Sequence, residues 1–350
     1  MKVCIITLYN SLNHGAYLQA YALSKVLEKY NFEVSFLKTG ARRPIYNLKD
    51  IIKKILKVKF KGAYFDLRKL ISWNKYAKVF QVCNINNEEL LEKDIFLFGS
   101  DEIWNISRKE IKNYPVLFGV GIPDKKFVAY APSINTTSLE QIKNNIQFVN
   151  SIKKFNHLSV RDTHSKNILQ NFTSKEIKIV LDPTFLISKE TYFNLEEEVK
   201  ERDYILVYTY ENEMTDEQIY TIKKYARSVK LKLISVGFRN KWCDKSVLAS
   251  PFSFLSYMRN ARYVVTTTFH GTVFSIIYNK QFASYAGNKI KVNDILKRLN
   301  LEYRNVSGKT DLKNVLEKNI DYENINNVLE DYINDSYNYI DEFIDSTKEK

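Results

Sequence analysis

Val264-Val265-Thr266-Thr267-Thr268-Phe269-His270-Gly271-Thr272-Val273-Phe274 changes its pattern halfway along. An apolar β-branched run ends in threonines, a histidine and a glycine follow, and the apolar residues then recur at helical spacing. The pattern predicts a strand over Tyr263–Thr267, a tight turn, and a helix over Thr272–Tyr278. A strand that runs into a helix is the unit from which parallel sheets are built. The turn also sets an imidazole and several backbone N–H groups at a helix start, where an anion is favoured. The chain has only four histidines in 350 residues, so His270 is a site candidate.

The same alternation extends in both directions. Val3–Leu8, Ala16–Tyr30 and Glu33–Leu37 read as strand, helix and strand. Further strands are predicted over Ile95–Phe98, Phe127–Tyr130, Leu158–Val160 and Ile177–Leu181, and helices over Leu139–Ile152 and Thr163–Phe172. After Pro183 a second series begins. Its strands are Tyr204–Tyr208, Leu231–Val236, Tyr263–Thr267 and Phe282–Tyr285, and its helices Asp216–Val229, Ser253–Asn260, Thr272–Tyr278 and Val292–Leu299. Strands alternating with helices twice over predict an α/β protein of two parallel-sheet domains, 1–185 and 186–319, with a helical, acidic tail over 320–350. Ligands of such sheets sit beyond the carboxyl ends of the strands, so a cleft between the domains is the expected site.

Composition narrows the class. No 18-residue apolar run exists, so no membrane-spanning helix is expected, and the first eight residues lack the features of a signal peptide. Three widely spaced cysteines, without a CxxC pair, argue for a reducing compartment and against a disulfide framework or zinc site; a cytoplasmic protein without a metal is the expectation. The net charge of +13 has two readings. One is a lysine-rich composition with solvated side chains; the other is attraction to anionic substrates or to the inner face of an anionic membrane. Nucleic acid is disfavoured, because no zinc-finger spacing, RNP-like motif or basic zipper occurs. The segment 42–80 carries Lys49, Lys53, Lys54, Lys57, Lys59, Lys61, Lys69, Lys75, Lys78, Arg42, Arg43 and Arg68 against Asp50 and Asp66. Apolar residues lie among them, so it reads as a basic helical insertion, either packed on its own domain or resting on lipid.

Three further turns carry polar groups. Asn13-His14-Gly15-Ala16 precedes a helix, where Asn13 either caps it or, with His14, faces a ligand. Asp101, in Gly99-Ser100-Asp101-Glu102, falls at a carboxyl strand end, where a carboxylate can take a proton from a hydroxyl or cap a helix. Arg161 ends another strand; its fork suits a carboxylate or phosphate ligand, or an internal bridge to Asp162 or Asp182. Asp182, before Pro183, reads as a turn cap, and His157 and His164 as structural or solvent-facing. No GxGxxG and no Walker A motif occurs, which disfavours a classical dinucleotide or P-loop site.

Five segments together resemble the polysaccharide pyruvyl transferase family: Asn13-His14-Gly15-Ala16-Tyr17-Leu18-Gln19-Ala20-Tyr21-Ala22-Leu23, Gly99-Ser100-Asp101-Glu102-Ile103-Trp104-Asn105, Ser159-Val160-Arg161-Asp162, Leu181-Asp182-Pro183-Thr184 and Thr268-Phe269-His270-Gly271-Thr272-Val273-Phe274-Ser275. They occur in the family's order. The chain departs from the family at His14, where an aromatic is usual, at Thr268, where serine is usual, and near Lys291-Val292, where a basic–serine pairing is usual. The resemblance implies a GT-B-like fold of two Rossmann-like domains, the first on the acceptor side and the second on the donor side, with an inter-domain cleft. It implies transfer of the pyruvyl group of phosphoenolpyruvate to two hydroxyls of a sugar, lipid-linked or free, in capsule, exopolysaccharide or other cell-surface glycan synthesis. Arg161, Thr268, Phe269, His270 and Gly271 would bind the donor, Asn13, His14, Gln19 and Asp101 the acceptor, and His270 and Asp101 would carry the proton transfers. No cofactor is implied. The competing readings are a GT-B glycosyltransferase using a nucleotide sugar, since fold does not fix function, and a non-catalytic membrane-associated assembly protein.

Overall fold

A computed structural model describes residues 1–40, 60–85, 88–306 and 311–348; residues 42–59 of the basic insertion lie outside them. Two all-parallel sheets form the frame. In the first, β1 (Lys2–Ile6), β2 (Glu33–Lys38), β3 (Val82–Asn84), β4 (Ile95–Phe98), β5 (Lys126–Ala129), β6 (His157–Val160) and β7 (Ile177–Ile179) lie in the order β3-β2-β1-β4-β5-β6-β7. In the second, β8 (Ile205–Tyr208), β9 (Leu233–Val236), β10 (Lys245–Val247), β11 (Tyr263–Thr266) and β12 (Gln281–Ser284) lie in the order β10-β9-β8-β11-β12. The central strands β4 and β8, Ile-Phe-Leu-Phe and Ile-Leu-Val-Tyr, are buried at every residue. A parallel strand covered by helices on both faces requires this continuous apolar run.

Both strand orders reverse direction at a central strand, β1 in one sheet and β8 in the other. The loops leaving the carboxyl ends there diverge and leave a crevice. β1, β4 and β11 therefore deliver Asn13, Asp101 and His270 to the space between the two sheets.

Several expectations are corrected. The helix predicted over Leu139–Ile152 is two helices, Leu139–Lys143 and Ile146–Ile152, because Asn145 caps the second by accepting from the Phe148 N–H. The short edge strands β3 and β10 carried too few residues to show a period. The helix predicted from Thr272 starts at Phe269, with Thr268 as its N-cap. The described part of the insertion is a helix, Phe60–Ala77, which buries Lys69, Trp73 and Tyr76 and exposes Tyr64, Leu67 and Ile71. The tail forms a helix, Tyr322–Lys348, that lies back across the first sheet: the Tyr339 hydroxyl donates to the Ala129 carbonyl (2.7 Å), and Lys126 Nζ to the Phe343 carbonyl (3.2 Å). Among the described residues, no helix is long and apolar enough to cross a membrane.

Candidate functional site

A cavity of about 680 Å³ opens between the sheets, within the range of small-molecule sites. The first sheet's loops contribute Asn13, Asp101, Glu102, Arg108 and Asn135 to its wall. The second sheet's contribute Tyr210, Glu213, Thr268, Phe269, His270 and Lys291.

His270 is placed by its local sequence. The Thr268 Oγ1 accepts from the Gly271 N–H (3.0 Å), and the Thr268 N–H donates to Thr266 Oγ1 (3.0 Å), so the threonines seen in the sequence build the cap. Capping by a threonine fixes where the helix starts, and His270 falls in its first turn. Across the cleft lies Gly15, in the first turn of the helix His14–Lys29. A methyl group at Gly15 would lie 2.1 Å from His270 Cγ, so only glycine lets the two helix starts approach this closely.

Behind His270 lies a buried charge cluster. Asp182 Oδ2 is 3.6 Å from His270 Nε2, accepts from Arg161 Nη1 (2.7 Å) and accepts from Ser100 Oγ (3.2 Å). Its other oxygen takes the Thr184 hydroxyl (2.8 Å) and N–H (3.2 Å). Burial alone would push this carboxyl up; the imidazole of His270, the guanidinium of Arg161 and the Thr184 bond reverse the effect and hold it well below the carboxylate range. Asp182 is thus both the turn cap read from the sequence and the hub joining Arg161 to His270.

Arg161 is fully enclosed. Its side chain has no exposure, its Nη2 reaches Asp101 Oδ1 (3.4 Å), and its guanidinium lies 4.6 Å from the Phe269 ring centre. Burial opposes its charge, and Asp182 and Asp101 more than restore it. Of the two uses read from the sequence, the internal bridge is the one this structure contains; Arg161 is absent from the cavity wall. Its partner is Asp182, while Asp162 instead caps the following helix through the Ser165 N–H (2.8 Å).

Asp101 reaches the wall from a left-handed backbone conformation, φ +73°. Its loop is braced from beneath: Gln19 Nε2 donates to Thr7 Oγ1 (3.1 Å), which donates to the Ser100 carbonyl (3.0 Å). Gln19 is therefore a buried support, outside the wall. His14 is also fully buried and away from the cavity. Its ring stacks on Phe254 (4.8 Å) and bonds to the Tyr208 hydroxyl (3.2 Å) and Ala249 carbonyl (3.0 Å). Burial, then Lys69, push its pKa down to about 3, so it is a neutral strut between the two halves. Neither His14 nor Gln19 enters the acceptor proposal below. Asn13 does reach the wall, yet its Oδ1 caps the helix through Gly15 (2.9 Å) and Ala16 (3.3 Å), and its Nδ2 donates to the Tyr210 hydroxyl (3.1 Å).

Sequence reading missed several wall residues. Lys291 pairs with Glu102, and Lys289 with Glu213. These are long-range pairs between loops, and no local pattern marks them. The one available signal was the departure near Lys291.

A family model described as polysaccharide pyruvyl transferase matches residues 13–289. No curated protein matches the chain. Solved structures do match in fold. The putative UDP-N-acetylglucosamine 2-epimerase of Listeria monocytogenes has a TM-score of 0.54 at 9% identity, over 95% of this chain and 90% of that one. The S. aureus MnaA–UDP structure has 0.55 at 10%, over 100% and 98%. An α-glucosyltransferase bound to UDP and a 13-mer DNA has 0.52 at 9%, over the whole of both chains. These likenesses show the fold alone, a GT-B-like pair of parallel-sheet domains.

Proposed function

Because the chain belongs to the polysaccharide pyruvyl transferase family, an enzyme family acting on a sugar or polysaccharide acceptor, we propose that it moves the pyruvyl group of phosphoenolpyruvate onto two hydroxyls of one sugar, forming a cyclic ketal and releasing phosphate. The observation that carries this reading is the meeting of His270 and Asp101, from different domains, on one cavity wall backed by Arg161 and Asp182.

The chemistry follows from those groups. His270 protonates the methylene carbon of the donor, making the neighbouring enol carbon electrophilic. A sugar hydroxyl attacks that carbon and Asp101 takes its proton. The carbon–oxygen bond to phosphate then breaks, and the second hydroxyl attacks to close the ketal. One hydroxyl proton is in balance the third hydrogen of the new methyl group; the other leaves on phosphate. Thr268, Phe269 and Gly271 shape the donor side around the helix start, where backbone N–H groups favour an anion. Arg161 serves as the buried counter-charge that helps keep Asp182 ionised and holds Asp101 and Asp182 in their orientations. Asn13 and Asp101 line the acceptor side.

The test is incubation with phosphoenolpyruvate and a panel of aryl and lipid-linked hexosides. The expected result is a product heavier by one pyruvate less one water, with one phosphate released per product. Nucleoside diphosphate released from a nucleotide sugar, with no ketal, would replace this reading by glycosyl transfer.

The setting proposed is capsule, exopolysaccharide or other cell-surface glycan synthesis, in the cytoplasm at the inner face of the membrane. Tyr64 and Ile71, 62% and 66% exposed, lie on one face of the helix Phe60–Ala77 with exposed Arg68 and Lys75 beside them. An apolar stripe with flanking cations suits an anionic lipid surface. The protein is expected to float with vesicles containing anionic lipid at low salt, to remain behind with neutral vesicles, and to lose flotation on Tyr64→Glu/Ile71→Glu; equal flotation with both lipids would end this part of the proposal.

A further inference from the structure

We propose that Lys291 and Arg108 are the cations that receive the anionic end of the donor, with Glu102 holding them ready; this rests on the phosphoenolpyruvate reading above. A donor bearing a carboxylate and a phosphate needs cations that its oxygens can touch. Arg161 is not among them: its fork is committed to Asp182 and Asp101, and it is shielded from the cavity.

Lys291 approaches the same place from the open side. Its side chain is 15% exposed, it lines the cavity, and its Nζ lies 5.5 Å from the Phe269 ring centre. Phe269 is thus contacted by Arg161 as well as by Lys291. Glu102 gathers the two wall cations: it pairs with Lys291, lies 3.9 Å from Arg108 Nη1 through Oε2, and accepts on that same oxygen from Asn105 Nδ2 (3.2 Å). Arg108 comes from the first domain and Lys291 from the second, so the group spans the cleft.

Arg108 is held as well by Glu110, its Nε lying 3.7 Å from Glu110 Oε2, so each wall cation already has a carboxylate partner when it meets the donor. A phosphate suits both: the ammonium acts as a point charge and the guanidinium as a fork. When donor oxygens arrive, Lys291 exchanges one anionic partner for another, so it meets the donor without first being stripped of a counter-ion in a low-dielectric site. Once phosphate is free, Glu102 competes for Lys291 and favours its release. Loss of Lys291 therefore acts chiefly on donor affinity.

The experiment titrates phosphoenolpyruvate, and separately inorganic phosphate, into the wild-type protein and the Lys291→Ala, Lys291→Gln, Lys291→Arg and Arg108→Ala variants, with donor KM and kcat measured in parallel. Lys291→Gln keeps the buried stem and removes only the charge. Both neutral Lys291 variants are expected to weaken both anions by about 10–100-fold, as loss of a charge-assisted bond does, with the change in KM exceeding that in kcat. Lys291→Arg is expected to recover most of the affinity, and Arg108→Ala to lose about 3–10-fold, in keeping with its more exposed position. A wild-type protein that binds phosphoenolpyruvate while Lys291→Gln binds it within twofold overturns the cation pair alone. A wild-type protein that binds neither anion overturns the donor reading beneath it.

Discussion

His270→Ala is expected to lower kcat by about 10²–10⁴-fold, the contribution of one well-placed general acid, while the donor Kd changes only a few-fold. The separation arises because binding and protonation fall to different groups. The anion is met by wall cations and the helix start, whereas His270 supplies the proton. His14, the other histidine near the cleft, cannot substitute, since it is buried, neutral and bonded on both ring nitrogens. His270→Gln should be as slow as the alanine variant, because an amide fills the space between Gly15 and Asp182 without delivering a proton. Single-turnover phosphate release, measured with enzyme in excess over donor and with acceptor saturating, reads the effect directly. Near-normal release from either variant would remove His270 from the chemistry and leave it as a packing residue at the helix start.

The frame of this molecule was legible because parallel strands buried on both faces must be continuously apolar, and the helices between them must follow a different period. β1, β4, β8 and β11 met that condition and could be read directly. β3 and β10, three residues each at sheet edges, carry too little period to register. The helix break at Asn144–Asn145 was concealed because Ile146 and Val149 continue the three- and four-residue spacing of Leu139 and Ile142. At the site, the helix cap was legible, because Thr268 and Gly271 act through neighbours two or three positions away. Residues whose partners are far along the chain were not. Lys291 and Glu102 stand 189 positions apart, and whether Arg161 meets a ligand or Asp182 depends on how deeply β6 is covered. The burial of Gln19 and His14 was hidden for a related reason. A polar residue in a loop-proximal helix turn looks the same in sequence whether it faces a cleft or braces the loop beside it.

Arg161→Ala is expected to destabilise the fold by about 3–5 kcal/mol, the range found when one partner of a buried ion pair is removed. The size follows from what is left behind. Asp101 and Asp182 sit at 2% and 0% side-chain exposure, and the loss of one guanidinium takes a buried counter-charge from both, leaving Asp182 beside the imidazole of His270. At about 2–4 °C per kcal/mol for domains of 150–250 residues, the melting temperature should fall by roughly 6–20 °C. Acid dependence separates this cause from simple cavity formation. The Asp182 carboxyl is held below its usual value in the folded state, so its contribution is present above the unfolded carboxylate pKa, about 3.9, and is lost as pH falls below that toward the folded value. The gap in melting temperature between wild type and Arg161→Ala should therefore be widest near neutral pH and narrow below about pH 4. A cavity left by the arginine stem would instead give a gap that does not change with pH. Arg161→Lys should keep part of the stability, because it keeps the charge, but a single ammonium cannot hold Asp101 and Asp182 in fixed directions as the fork does. Its expected signature is a modest loss of stability with a large loss of kcat, since Asp101 at the wall and Asp182 behind His270 would both be released from their present orientations. If Arg161→Lys instead retained full turnover, the buried cluster would be a stabilising feature of the first domain with no part in aligning the groups at the cleft.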